Sequence, residues 1–514
     1  MSDRISKIVI TSINAKYIHS SLAARYLLAN LQRFAQLAEI MEFTSQERDI
    51  DIVEYILQAE PTVAVFSCHI WNIELTDAVV RLLKSIRPDI IVILGGPEVS
   101  YPNDFPEVTE CADYVICGEG EFALPELLHN IEQRASSPHI ISAPPVSLDH
   151  IELPFHLYTD QDISHRVIYV ESSRGCAFGC EFCLSSLDTL VRYFEPSRII
   201  AALDTLWQRG ARQFKFIDRT IHHSKAAPIL EFFLERICPE LFLHFEVVPD
   251  QLSQRLLDVL KQFPKGAVQL EAGVQTFNPD VSRRIGRKQN MDKTEQNIRK
   301  VVEETGVHIH ADLVVGLPGE TIESFAAGFD RLMATGVHEI QVGILKRLRG
   351  APIDRHTAPF AIVYRQTAPY DILQSSQIPF LEMQRLKRFS RYFDLVVNSG
   401  NFKRTIPFLW ENRSPFFAFL GFADWLFKAS NRTAGIALEK LATYLFEYLT
   451  TTMAIPKEEC ANRILGDFIV GGRRKLPKCV REFATDSQTD YSNSAVDNSA
   501  SGLPERQRRH TPDQ

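Results

Sequence analysis

No apolar stretch in this chain is long enough to span a bilayer, so a membrane-spanning helix is not expected. Its opening residues, Met1-Ser2-Asp3-Arg4-Ile5-Ser6-Lys7, lack the apolar core and small-residue cleavage site of a secretory signal and run straight into a strand-like segment. Excess positive charge is missing as well. The formal net charge is −8, so nothing in the bulk composition invites nucleic acid. Cysteine is sparse: nine among 514 residues, an odd number that argues against a disulfide framework and fits a reducing cytoplasm. Cys68, Cys111, Cys117, Cys238, Cys460 and Cys479 are scattered and read as small buried apolar residues. What is present is ample apolar material, 45% of the chain, over a length that predicts two to four domains.

The remaining three cysteines lie close together. Ser173-Arg174-Gly175-Cys176-Ala177-Phe178-Gly179-Cys180-Glu181-Phe182-Cys183 places Cys176, Cys180 and Cys183 in the spacing C-x3-C-x2-C. Packing does not explain three thiols on one loop, whereas soft thiolates suit zinc or an iron–sulfur cluster. Structural zinc sites are closed by four ligands, and no second paired unit follows here. Three thiolates on a 4Fe-4S cluster leave one iron open to a substrate. With aromatic Phe182 before the last cysteine, the loop resembles the signature of radical S-adenosylmethionine (radical SAM) enzymes. That resemblance implies that the open iron chelates S-adenosylmethionine and that an electron from the cluster cleaves it to a 5′-deoxyadenosyl radical.

Residues 1–132 alternate apolar strands with helical stretches, the pattern of a parallel sheet covered on both faces. Strands are predicted at Lys7 to Ile13, Thr62 to Cys68, Ile90 to Leu94 and Tyr114 to Cys117. Ligands of such sheets bind beyond the carboxyl ends of the strands. Ser67, Gly95, Gly96, Gly118 and Glu119 fall there. Placed ahead of the cysteine loop, they resemble the cobalamin-binding domain of one large radical SAM subgroup. D-x-H-x-x-G, whose histidine ligates cobalt from below, is absent. His19 lies in Tyr17-Ile18-His19-Ser20-Ser21, and His69 follows Ser67-Cys68. Neither matches, so cobalamin is expected without a protein histidine as lower ligand. The polar segment Asn14 to Ser21 after the first strand either lines the cofactor or caps the first helix through Ser20 or Ser21.

Residues 133–165 carry no periodicity and read as a linker. Residues 166–346 suggest a partial (β/α)6 barrel. By resemblance, Asp218 ends a strand where relatives hold the amino group of S-adenosylmethionine, although an internal pair with Arg219 is equally open. Glu271 and Gln275 lie in Glu-x-Gly-x-Gln-Thr and would reach S-adenosylmethionine or substrate. His244 and Glu246 share one side of a strand. Arg283, Arg284 and Arg287 either hold a carboxylate or form a solvated face. Gly316 opens Gly-Leu-Pro-Gly-Glu-Thr, which resembles the segment beside the adenine. Lys346-Arg347-Leu348-Arg349 reads as a solvated turn. Residues 347–476 are helical and aromatic, and residues 477–514 are expected to be disordered.

The expected architecture is therefore α/β: a Rossmann-like cobalamin-binding domain, a radical SAM barrel and a helical C-terminal domain. The resemblance implies an enzyme that methylates an unactivated carbon. The alternatives are a cobalamin-dependent radical cyclase or rearrangement enzyme, or a non-catalytic cobalamin or iron–sulfur sensor or carrier. A small-molecule substrate and an electron donor such as flavodoxin or ferredoxin are implied as partners. No catalytic residue beyond the cofactor contacts is assigned.

Overall fold

Short apolar strands separated by amphipathic helices dictate parallel sheets, because each crossover helix must cover a sheet face. The computed structural model describes residues 5–221, 223–470 and 475–484. It divides into two units. The first takes the residues up to Arg219 together with Lys346–Arg355 and Tyr364–Asp371; the second takes Thr220–Leu345, His356–Val363 and the chain from Ile372 onward.

The first unit begins with β1 (Ile8–Asn14), α1 (Leu22–Ala29), β2 (Ala38–Thr44), α2 (Asp49–Gln58), β3 (Val63–Ser67), α3 (Ile73–Ile86), β4 (Ile91–Gly95), β5 (Tyr114–Gly118), α4 (Gly120–Glu132) and β6 (Ile140–Ala143). These six strands form one parallel sheet in the order β2-β1-β3-β4-β5-β6. Alternate side chains feed two cores. Val9, Ala64, Phe66, Val92 and Leu94 pack with α2 and α3, and Ile8, Ile10, Val65 and Ile93 pack with α1 and α4. Ser21 caps α1 by accepting from the Ala24 N–H at 3.2 Å.

Two departures from the sequence pattern stand out. The segment read as a linker contributes the edge strand β6, too short and too exposed to show alternation. The same segment contains α5 (Asp160–His165), started by a Thr159–Asp162 capping box. It is tied back by buried charge. Arg25 bonds Glu42 at 2.9 Å and Asp162 at 2.8 Å, and Arg166 bonds Glu42 at 2.8 Å. Strand β7 (Ile168–Val170) then leads into a small antiparallel pair, β8 (Ser173–Arg174) with β9 (Arg192–Tyr193), which brackets the cysteine loop. α6 (Pro196–Gln208) follows, and β10 (Gln213–Phe216) pairs in parallel with β7.

The second unit holds α7 (His223–Leu234), β11 (Phe242–Val247), α8 (Gln254–Leu260), β12 (Val268–Gln275), α9 (Pro279–Arg284), α10 (Met291–Glu304), β13 (His308–Val315), α11 (Ile322–Met333) and β14 (Glu339–Ile344). β11 to β14 pair in parallel in chain order. Along β12, Val268, Leu270, Ala272 and Val274 are buried while Gln269, Glu271, Gly273 and Gln275 are half-buried, so one sheet face is polar. The C-terminal helices pack on α11 through aromatic rings: Phe329 meets Phe389, Phe393 and Phe416 at 5.1–5.7 Å between centroids. Asp330 accepts from the Phe416 N–H at 2.8 Å and so caps the helix Pro415–Ser430. The first part of the segment expected to be disordered is ordered. Lys478–Phe483 forms a 3-10 turn with Val480 buried, because two apolar residues, Leu476 and Val480, reach a core. The rest of that expectation, from residue 485, lies outside the described residues. Among the described residues, no helix is long and apolar enough to cross a membrane.

The Arg25 network yields a stability prediction. Arg25→Met removes the more buried of the two arginines that neutralise Glu42 and Asp162, leaving only Arg166, and is expected to cost about 3 kcal/mol, against about 0.5 kcal/mol or less for exposed Arg33→Met. Urea unfolding followed by circular dichroism measures both. Burial opposes ionisation of Glu42 and Asp162, yet Arg25 and nearby hydrogen-bond donors hold both carboxyls below the ordinary range. Their contribution is present above about pH 4 and is lost as the pH falls through the depressed folded-state values. The gap between wild type and Arg25→Met is therefore expected to narrow below that pH.

Candidate functional site

A cavity of about 500 Å³ opens at the carboxyl ends of β3, β4 and β5 in the first unit. This is where ligands of a doubly wound sheet bind. Its inner wall is apolar: Leu22 and Tyr26 of α1, Val65, Ile93 and Ile116 from the strands, and Leu124 of α4. Its rim is polar, with Ser67, His69, Glu119, Arg192 and Arg219. The far side is built by Glu171, Ser173, Arg174, Gly175, Leu184 and Ser185, the residues that flank the three cysteines. One unit therefore joins the strand ends to the thiol loop.

The expected strand-end residues are all here, with different duties. Ser67, Gly95, Gly96, Gly118 and Glu119 line the cavity. Gly96 (φ +105°) and Gly118 (φ +114°) adopt left-handed backbone, and a Cβ on either would strike the Cys68 or Ala143 backbone. Chain packing therefore already demands these two glycines. Gly95 is the open one, with only the Ile116 carbonyl at 3.9 Å from an added Cβ. His19 does not enter the cavity; its Nδ1 meets the Tyr169 hydroxyl at 2.6 Å. His69, which the missing motif gave no reason to choose, does line it. Its Nε2 lies 2.9 Å from the Ser67 Oγ, its ring stacks on Trp71 at 4.3 Å, and burial pushes its pKa down to about 4. The only sequence signal was its place two residues beyond Ser67.

Ion pairs join the two walls. Arg174 bonds Glu121 at 2.6 Å and Glu171 at 3.0 Å and reaches Glu119 at 3.5 Å. Arg192 bonds Glu119 at 2.5 Å and Asp188 at 3.0 Å. Burial pushes Glu171 up to about 7, against the pull of Arg174. Burial also opposes ionisation of Glu119, but Arg192 and Arg174 hold it below the usual range.

The cysteine loop itself is anchored at several points. The Cys176 N–H donates to the Asp188 carbonyl at 2.9 Å, and the Cys183 N–H to that of Cys180 at 3.0 Å. Glu181 is held by Arg355 and by the Ile353 N–H. Cys180 is buried, and Cys176 and Cys183 are half-buried. Burial raises the Cys176 thiol, as do its neighbours Cys183 and Cys180. Among the described residues, no three His, Cys, Asp or Glu side chains gather into a metal-holding group. The loop thus supplies three soft donors on one short span rather than a finished coordination shell.

Asp218 does not pair with Arg219. It is buried, with one carboxylate oxygen accepting from the Ser172 and Ser173 hydroxyls and the other from the Ser172 N–H at 3.1 Å. It therefore fastens the start of the cysteine loop to the end of β10. Lys346-Arg347-Leu348-Arg349 is not a solvated turn either: Arg347 bonds Asp104 at 2.7 Å, and Arg349 bonds Asp104 at 2.8 Å and reaches Glu98 at 3.3 Å.

In the second unit, the polar sheet face brings the His244 Nε2 to the Glu271 Oε2 at 3.0 Å. Glu246 stands beside Glu271 in register. His310 and Asp312, 3.7 Å apart, also lie on β13 where it pairs with β12; sequence reasoning missed them because they sit before the Gly-Leu-Pro-Gly turn. Gln275 has left-handed backbone (φ +71°) at a bulge, and its side-chain amide lies over Gly273. Arg287 donates to the Gly273 carbonyl, Arg284 to that of Pro318, and Arg283 pairs with Asp280, so none of the three is an open cation. The missing side chain of Gly316 would meet Ile372 and Met383, so this glycine makes room for the C-terminal segment. Thr321 caps α11 through the Ser324 N–H at 3.2 Å.

Comparison with known proteins agrees with this layout. Residues 8–128 match the B12 binding domain, residues 170–332 the Radical SAM superfamily, and residues 358–509 a family described as Protein of unknown function (DUF4080). A match to the B12 binding domain thus precedes a match to the Radical SAM superfamily in this chain. It is similar to the 2-(S-pantetheinyl)-carbapenam-3-carboxylate methyltransferase of Streptantibioticus cattleyicolor, 25% identical over 57% of this chain and 48% of that one. The chain thus spans about half the length of the first curated relatives it matches. In fold it resembles the cobalamin-dependent S-adenosylmethionine radical enzyme OxsB, with a TM-score of 0.61 over 99% of this chain and 84% of that one at 11% identity. It also resembles the radical S-adenosylmethionine methyltransferase TsrM from Kitasatospora setae, with a TM-score of 0.57 over 74% and 81% at 15% identity.

The anchor at Asp218 is directly testable. Asp218→Ala leaves the Ser172 N–H and two hydroxyls without their acceptor, a loss of about 1–3 kcal/mol. Amide exchange at Ser172 to Cys176 is expected to speed up about tenfold in mass-spectrometric exchange, with β1 to β5 unchanged.

Proposed function

We propose that this protein is a cobalamin-dependent radical SAM enzyme that methylates an unactivated carbon of a small-molecule substrate. The observation that carries the reading is the cavity that joins the carboxyl ends of β3, β4 and β5 to the flanks of the Cys176–Cys183 loop. Three thiols with no second cysteine pair nearby suit a 4Fe-4S cluster with one open iron. The apolar slot under a polar rim suits a flat cofactor with a polar edge. When bound, the cluster and cobalamin supply electron transfer to S-adenosylmethionine and the methyl group, respectively.

The chain's own residues position and shield this chemistry. Cys176, Cys180 and Cys183 hold the cluster. Ser67, Gly95, Gly96, Gly118 and Glu119 would receive cobalamin, and of the three glycines Gly95 is the one whose missing side chain leaves open space. The chain has no D-x-H-x-x-G histidine to offer cobalt; His69, kept neutral by burial and held by Ser67, is the ring that lines this cavity. Asp218 holds the loop in place, a role its engaged oxygens favour over direct contact with an ammonium. Glu271, supported by His244, and Gln275 contact S-adenosylmethionine or substrate, and Gly316 shapes the turn beside them. The electron donor is a flavodoxin- or ferredoxin-like protein, and the enzyme works in the cytoplasm.

The test is anaerobic reconstitution of the full chain. Four irons per chain, retained cobalamin, and 5′-deoxyadenosine formed with S-adenosylmethionine and a strong reductant are expected. Cys176→Ala is expected to abolish the deoxyadenosine by removing a cluster ligand. Zinc in place of iron, or a cluster that never cleaves S-adenosylmethionine, would overturn the proposal.

A further inference from the structure

The cavity wall holds three arginines, and two of them are neutralised by carboxylates. Arg174 and Arg192 are matched to Glu119, Glu121, Glu171 and Asp188. Arg219 is different. It lines the same cavity and is exposed, and among the described residues its guanidinium has neither an ion pair nor a hydrogen bond. Its sequence neighbour Asp218 would be the obvious partner, but that carboxylate is spent on Ser172 and Ser173. Asp218 therefore fixes the backbone from which Arg219 emerges while leaving the cation unneutralised. Arg219 faces the same cavity as Gly175 and Leu184, which flank the thiol loop, and follows the residue bonded to Ser172 and Ser173 at the start of that loop.

We propose that Arg219 tunes the iron–sulfur cluster electrostatically and raises its reduction potential. The inference rests on the cluster assignment above. A 4Fe-4S cluster on three thiolates carries net negative charge, and adding an electron makes it more negative. A cation near it stabilises the reduced form more than the oxidised form. Arginine suits the task because its charge does not titrate at any working pH. Water screens an exposed guanidinium, so the influence grows as a bound cofactor fills the cavity and excludes solvent. Arg219 is thus a positioning charge that acts through the cluster.

The test is a potentiometric titration of the reconstituted full chain, read by the electron paramagnetic resonance signal of the reduced cluster, with iron per chain measured alongside. Wild type, Arg219→Lys, Arg219→Gln and Arg219→Glu are compared, with and without bound hydroxocobalamin. The expected midpoints fall in the order Arg and Lys, then Gln, then Glu. At one fixed low potential, Arg219→Gln is expected to hold about three- to tenfold less reduced cluster per bound iron than wild type. Arg219→Lys restores most of the difference, and bound hydroxocobalamin enlarges it. Equal midpoints across the four proteins, with iron bound in each, would overturn the role of Arg219 while leaving the cluster assignment standing. A wild-type chain that assembles no cluster would overturn both.

Discussion

Arg174 is the interaction on which this site depends. It lies two residues before the first cysteine of the loop, and its guanidinium bridges Glu121, at the start of α4, and Glu171, just after β7. A cation so nearly buried is tolerable only when it is matched on several sides. Here three carboxylates surround it and hold it firmly protonated. Arg192 repeats the arrangement with Glu119 and Asp188. The polypeptide that ends β5 and the polypeptide that carries the thiols are therefore fixed to each other before any cofactor arrives.

The rest of the first unit follows from that constraint. A doubly wound parallel sheet places its strand ends along one edge, and loops there are free to carry chemistry. Left-handed turns at Gly96 and Gly118 fold those loops tightly against Cys68 and Ala143. The slot between the sheet and α1 stays apolar, while the charges collect at the rim. Asp218 and Arg355 secure the start and the middle of the thiol loop. In the second unit a separate logic applies: a polar sheet face centred on His244 and Glu271, with an aromatic helical layer closing over α11.

Much of this was legible in the sequence, for identifiable reasons. Cys176, Cys180 and Cys183 are a dense local pattern that needs no tertiary information. The apolar strands β1, β3, β4 and β5, and the glycines at their ends, show themselves by composition. Strand β6 did not, because an exposed edge strand of four residues lacks the apolar run that marks the others. His69 was discounted because the expected motif was absent, and its place on the rim depends on how Gly95 and Gly96 fold beside it. The separate fates of Asp218 and Arg219 were also hidden. Adjacent opposite charges look like a pair, and only the position of Ser172 and Ser173 shows that the acid is already engaged. The arginines of residues 283–349 looked solvated or available for the same reason, although tertiary partners claim Arg284, Arg287, Arg347 and Arg349.

The central claim is that the strand-end cavity and the thiol loop are one structural site. Hydrogen exchange of the iron-free full chain, with and without hydroxocobalamin, tests it most directly. Without iron, any protection of the loop must come through the cavity and its ion pairs. The account predicts slower exchange both at Ser67 to Gly120 and across Ser172 to Cys183 when cobalamin binds. Protection confined to the strand ends, with the thiol loop exchanging as before, would contradict it.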